Sequence, residues 1–205
     1  MTVENPPVVD PRIVDRVKYI LTRPKLEWAV IDAEPATTRG LFRRYAMVLA
    51  AIPAIATLIG QIVFGEKGPV GALIGAAVGY GLSLLSVYIL GLIIDGLAPT
   101  FGGVKDPVKA MKTAVYSMTP VWVAGVLNII PTLDWLAALL GLYGFYLLYL
   151  GLPIMMRTAV DKALGYTVVV VVAAIVLWIL AWSLVAAVIA SFAIVGIGAA
   201  AFALS

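Results

Sequence analysis

"GYTVVVVVAAIVLWILAWSLVAAVIASFAIVGIGAAAFALS", Gly165 to Ser205, runs for 41 residues without a charged side chain. Apolar stretches of this kind are long enough to cross the hydrocarbon core of a bilayer. As one helix the stretch would be about 61 Å long, about twice the hydrocarbon thickness. It therefore predicts one crossing, from Thr167 to Ile189, that ends inside the stretch. The remainder, 191–205, is rich in Ala and Gly. It is expected to re-enter, to pack on the bundle, or to complete a sixth crossing through a tight turn near Ser191. Five crossings are the main reading and six the alternative.

Working back towards the N-terminus, four more apolar segments appear. Trp135 to Met156 is followed by a loop carrying Arg157, Asp161 and Lys162. A segment ending near Ile130 has Lys109 and Lys112 on an amphipathic lead-in. Only Pro131 to Asp134 separates these two, which predicts an antiparallel hairpin. Val70 to Leu97 and Leu41 to Phe64 complete the set, with Pro53 expected to kink the first span. The expected organisation is a segment 1–40, a five-helix transmembrane domain 41–190, and an apolar tail 191–205.

Residues 1–40 differ in composition. Asp10-Pro11 suits a helix start, and Ile13, Val14, Val17, Ile20 and Leu21 are placed on one face. A second helix is expected from Pro24 to Ala33, carrying Leu26, Trp28, Val30 and Ile31. Both are short amphipathic helices with basic flanks. They are expected either to lie at the membrane surface or to cap the bundle. The segment does not read as a secretory signal, so the first apolar segment is expected to direct insertion.

Composition agrees with a lipid environment. The 205 residues are 63% hydrophobic and 12% charged, against about 45–50% and about 25% in soluble domains. Mean hydropathy is +1.08. There is no Cys and no His, which removes disulfides, thiolate chemistry, imidazole catalysis and the usual zinc sites. The net charge of +3 reads as topology and not as a nucleic-acid footprint. With five spans and a cytoplasmic N-terminus, 13 of the 14 Lys and Arg fall on the cytoplasmic side, leaving only Lys67 outside.

Three groups of residues stand out as functional candidates. Asp95 and Arg157, each near a cytoplasmic helix end, are expected to form an ion pair that clamps the bundle. Gly71, Gly75 and Gly79 form a small-residue strip suited to close helix packing, within the bundle or between two copies. Ser83, Ser86, Tyr88, Ser117, Thr119, Asn128, Tyr143 and Tyr146 are mid-membrane polar residues that could line a path. No paired carboxylates, no Ser with a base and no phosphate-cradling loop occur, so no catalytic residues, cofactor or metal are expected.

Three stretches together resemble the Yip (Ypt-interacting protein) family in its bacterial branch: "ILTRPKLEWAVIDAEP" (Ile20 to Pro35), "AVYSMTPVWVAGVLNIIP" (Ala114 to Pro131) and "LYGFYLLYLGLPIMMRTAVDKALGYTVVVVV" (Leu142 to Val172). Tyr116, Ser117 and Pro120 are the family-motif residues. The resemblance implies an all-α integral membrane protein with five spans and a cytoplasmic N-terminus. Eukaryotic relatives associate with Rab-type GTPases and with each other, but this N-terminus is much shorter and lacks a long cytosolic arm. The functional expectation is a non-enzymatic scaffold or interaction protein in the inner membrane, acting in membrane organisation or trafficking-like processes. Its expected partners are membrane lipids, a second copy or other membrane proteins. The alternatives are a small transporter or channel with a polar path around the second to fourth helices, and, ranked last, a lipid-modifying enzyme.

Overall fold

The computed structural model describes residues 13–65 and 68–203, and the described residues are helical with no strand. The helices are α1 (Ile13–Thr22), α2 (Pro24–Ala33), α3 (Thr38–Leu41), α4 (Met47–Phe64), α5 (Pro69–Leu97), α6 (Pro107–Ser117), α7 (Thr119–Ala124), α8 (Asp134–Gly141), α9 (Tyr143–Met155) and α10 (Val160–Ala203). A π-helical turn, Phe42–Ala46, joins α3 to α4 without a break. Among the described residues, four helical stretches are long and apolar enough to cross a membrane: Thr38–Phe64, Pro69–Phe101, Pro131–Met155 and Asp161–Ser191.

The third expected crossing has a different form. The chain from Pro107 to Ile129 is α6, an interruption at Met118, α7, and a 3-10 turn over Gly125–Ile129. Pro120 explains the interruption. It has no N–H to give the Tyr116 carbonyl, and its ring crowds that carbonyl. The Thr119 hydroxyl donates to the Tyr116 oxygen instead, at 2.7 Å. α6 was expected to be an amphipathic lead-in, but every residue from Ala110 to Ser117 is buried, Lys112 included. The reason is position: α6 is the central helix, packed against both α5 and α9.

α10 settles the surplus apolar length differently from the expectation. No turn interrupts it near Ser191, and the backbone stays helical to Ala203. The sixth crossing through such a turn is therefore absent. Ser191 donates its hydroxyl back to the Ala187 carbonyl at 2.8 Å, a bond that leaves a helix intact. Tyr166 donates to the Ile94 carbonyl near the C-terminal end of α5, and Gly75 near the other end of α5 faces Ile189. α10 thus runs antiparallel to α5. Fourteen residues of helix, about 21 Å, continue beyond Ile189.

α1 and α2 form a hairpin docked on the bundle. Ile20, Trp28 and Ile31 are fully buried in the common core with Tyr45, Ile94, Val115, Leu147 and Leu152. Val14 and Leu26, expected on buried or lipid faces, are 74% and 69% exposed. Position 14 lies about 100° around the helix from Ile13 and points away from the core. The hairpin thus packs on the bundle through Ile20, Trp28 and Ile31 and leaves Val14 and Leu26 on its outer face.

Candidate functional site

The docked hairpin creates the densest polar cluster among the described residues. α2 lies along α9, and Gly151 is what lets it approach. A Cβ at that position would lie 2.7 Å from two atoms of the Trp28 indole. Trp28 meets the edge of Tyr116 with ring centroids 6.5 Å apart, and Tyr116 meets Tyr45 at 4.8 Å. The Tyr45 hydroxyl is 2.8 Å from the Thr119 hydroxyl, which itself donates to the Tyr116 carbonyl. The helix break at Pro120 and the aromatic stack are therefore one construction.

Two sets of charges close the hairpin over this stack. In the inner set Arg16 is buried. Its guanidinium binds Glu27 and Glu34 and lies 5.7 Å over the Tyr116 ring. Lys112, also buried, donates to the Ile31 carbonyl at 2.6 Å and to the Glu34 carbonyl, caring for carbonyls that the end of α2 leaves open. In the outer set Asp32 receives Arg157 at 2.6 Å on one oxygen. Lys109 lies 2.7 Å from the other as an ion pair without hydrogen-bond alignment.

Each group's proton affinity follows from its surroundings. Burial works against the Arg16 charge, but Glu34, Tyr116 and Glu27 outweigh it and hold the guanidinium above its usual range. Burial pushes the Glu27 carboxyl up, with Arg16 only partly opposing. Burial also acts upward on Asp32, yet Lys109 and Arg157 overcome it and hold this carboxyl below the usual range.

The predicted site residues fall into this picture unevenly. Arg157 does form an ion pair at the end of α9, but with Asp32 and not with Asp95. α2 places an acid beside Arg157, while Asp95 keeps one buried oxygen without a hydrogen-bond partner. Arg157 adopts φ 54, in the left-handed region that non-glycine residues rarely occupy. On α5, a Cβ at Gly75 would lie 3.2 Å from Ile189 of α10, whereas one at Gly79 would meet nothing within 4 Å. The expected strip including Gly71 thus meets α10 at Gly75, and no helix comes close at Gly79.

Tyr116, Ser117 and Pro120 do lie together at the α6–α7 break, where a Cβ at Gly144 would lie 2.7 Å from the Ser117 carbonyl oxygen. Of the expected mid-membrane polar residues, Tyr143 donates to the Leu21 carbonyl at 3.0 Å and Ser83 is 3.5 Å from the Trp122 nitrogen.

Sequence reasoning missed Arg16, Glu27, Asp32, Glu34, Lys109 and Lys112 as one cluster. A signal existed for the first. Arg16 stands four residues before Ile20 and so shares its buried face. An open apolar recess of about 500 Å³ lies at the hairpin tip, lined by Leu21, Pro120, Val123, Ala124, Leu139, Leu140 and Tyr143.

The Yip1 domain family matches residues 18–182, most of the chain and nearly all of this cluster. The chain belongs to the Yip1 family. Its similarity extends to the "Inner membrane protein YohC" of Escherichia coli K12, 28% identical over 161 residues that cover 72% of this chain and 82% of the relative. The protein of that name from Escherichia coli O6:H1 matches with the same figures. No solved structure matches the chain. With several helices long and apolar enough to cross a membrane, this Yip1-family protein is a multi-pass membrane protein.

Proposed function

We propose that this Yip1-family protein is a non-enzymatic scaffold or interaction protein of the inner membrane, acting in membrane organisation. The observation that carries the reading is the use made of the charges around its N-terminal hairpin. Arg16, Glu27, Glu34, Lys112, Asp32, Lys109 and Arg157 pair with one another or cap a helix end, so they hold the hairpin to the bundle. An enzyme or relay would need some of these groups presented to a substrate. A transporter path receives little support, because the recess between α7 and α8 is apolar.

The same reading has five crossings and a cytoplasmic N-terminus. α7 and its 3-10 turn run along α4, with Gly125 against Pro53 and Gly60 against the carbonyls of Asn128 and Ile129. That path gives the third crossing its length despite the break. Thirteen of the fourteen basic residues then lie on one side, and the relative's name supplies the inner membrane.

Two measurements test the proposal. A reporter fused after Ser205 should read as extracytoplasmic; a cytoplasmic reading would remove the five-crossing topology. Crosslinkers placed at the exposed Leu26 and Val30 of α2 should trap a second copy or another membrane protein in intact membranes. If they trap lipid alone at every position, the scaffold role fails.

A further inference from the structure

Most basic side chains near the hairpin are committed to partners, but Arg39 and Arg43 at the start of the first span form no ion pair among the described residues. Thr37, Arg39, Gly40, Arg43 and Arg44 line a recess of about 470 Å³. Arg39 and Arg43 are exposed and form no ion pair among the described residues. They stand four residues apart and so share a helix face. The nearby acids are occupied elsewhere, Glu34 with Arg16 and Asp32 with Lys109 and Arg157. Arg39 and Arg43 therefore give the recess its positive charge.

Its place in the fold says what kind of anion it suits. The π-helical turn Phe42–Ala46 begins here and widens the helix, as such turns often do at functional positions. One turn further along the same faces come Met47 below Arg43 and Val48 below Arg44, both exposed, and then Ile55, Ile59 and Ile62. A cationic recess sits directly on the headgroup side of an exposed apolar strip, on a helix long enough to cross the membrane. A soluble anion would use only the first feature. An acidic phospholipid would use both, with its phosphodiester between the guanidinium forks and its acyl chains along the strip.

We propose that Arg39 and Arg43 hold the phosphodiester of an acidic phospholipid in this recess, with its chains on the α4 strip. The site is independent of the scaffold reading. Its test uses the full chain in detergent micelles with labelled phosphatidylglycerol or phosphatidylcholine, reading equilibrium binding. Phosphatidylglycerol should bind more tightly. Arg39→Gln with Arg43→Gln should weaken it about thirtyfold, which corresponds to about 1 kcal/mol per arginine at about 1.4 kcal/mol per tenfold.

Arg39→Lys with Arg43→Lys keeps the charge but loses the planar fork, so an intermediate loss is expected. That variant also supplies a reading should the glutamine pair fail to fold. Arg23→Gln with Lys25→Gln, on the hairpin turn, should leave binding unchanged. Equal binding of the two lipids, or an equal loss in the hairpin variant, would overturn the site. Inorganic phosphate should compete only weakly. If it bound as tightly as phosphatidylglycerol, the ligand would be a soluble anion and the lipid assignment would fall.

Discussion

Replacing Gly151 with alanine tests the docking of the N-terminal hairpin at a single atom. The new Cβ would lie 2.7 Å from Cε2 and Cζ2 of Trp28 and 3.0 Å from Cη2. Carbon atoms settle at about 3.5–4.0 Å, so the indole or α9 must yield by about 1 Å. Trp28 is fully buried and backed by Tyr116, which is backed by Tyr45. With no free space behind the ring, the strain should cost about 1–3 kcal/mol. Trp28→Ala alone should cost about 3–5 kcal/mol through the cavity it leaves.

In the double variant the added methyl enters that cavity, so its cost should vanish. The coupling between the two sites should then be about 1–3 kcal/mol. Thermal unfolding in detergent, followed by circular dichroism, gives the four corners of the cycle. Trypsin cleavage after the exposed Lys18 and Lys25 reports whether the hairpin leaves. Additive effects, or a Gly151→Ala protein as stable and as resistant as the parent, would refute the packing argument.

Three further outcomes follow from the charges and aromatics. Arg157→Ala and Arg157→Gly both lose the Asp32 ion pair, but glycine accepts φ 54 without strain. The glycine variant should be the more stable by about 1 kcal/mol in the same thermal assay. Asp32 is held below its ordinary pKa, so its stabilisation is complete above the unfolded value of about 3.9 and disappears as pH falls through the lower folded value. The advantage of the parent over Asp32→Asn should therefore be constant from neutrality to about pH 5 and shrink below about pH 4. Glu27 shifts the other way but is common to both proteins, so it cancels. Tyr45→Phe leaves Thr119 without its 2.8 Å partner and should cost about 1 kcal/mol; an unchanged melting temperature would show that the hydroxyl pair carries no stability.

The membrane class was legible because it depends on sums. Sixty-three per cent hydrophobic residues and one uncharged run of 41 leave lipid as the only solvent for so much apolar surface. The start of α2 was legible too, because Pro24 fixes φ locally at the first helical position. The partner of Arg157 was not. Asp32 is 125 residues away in sequence, and no local pattern says that α2 lies on α9 beside it. Asp95 was the expected partner, and the seat that Gly151 opens for Trp28 brings Asp32 to Arg157 instead.

What the sequence determined by itself is the all-helical class, the membrane environment and the asymmetry of basic residues. Each follows from composition, hydropathy or a residue's own backbone restriction. Tertiary structure decided that α10 continues through Ser191 alongside α5 and that the N-terminal helices belong to the core. It also decided which ion pairs form. These outcomes depend on which surfaces meet across more than a hundred residues of chain, and contacts of that range have no signature in local periodicity.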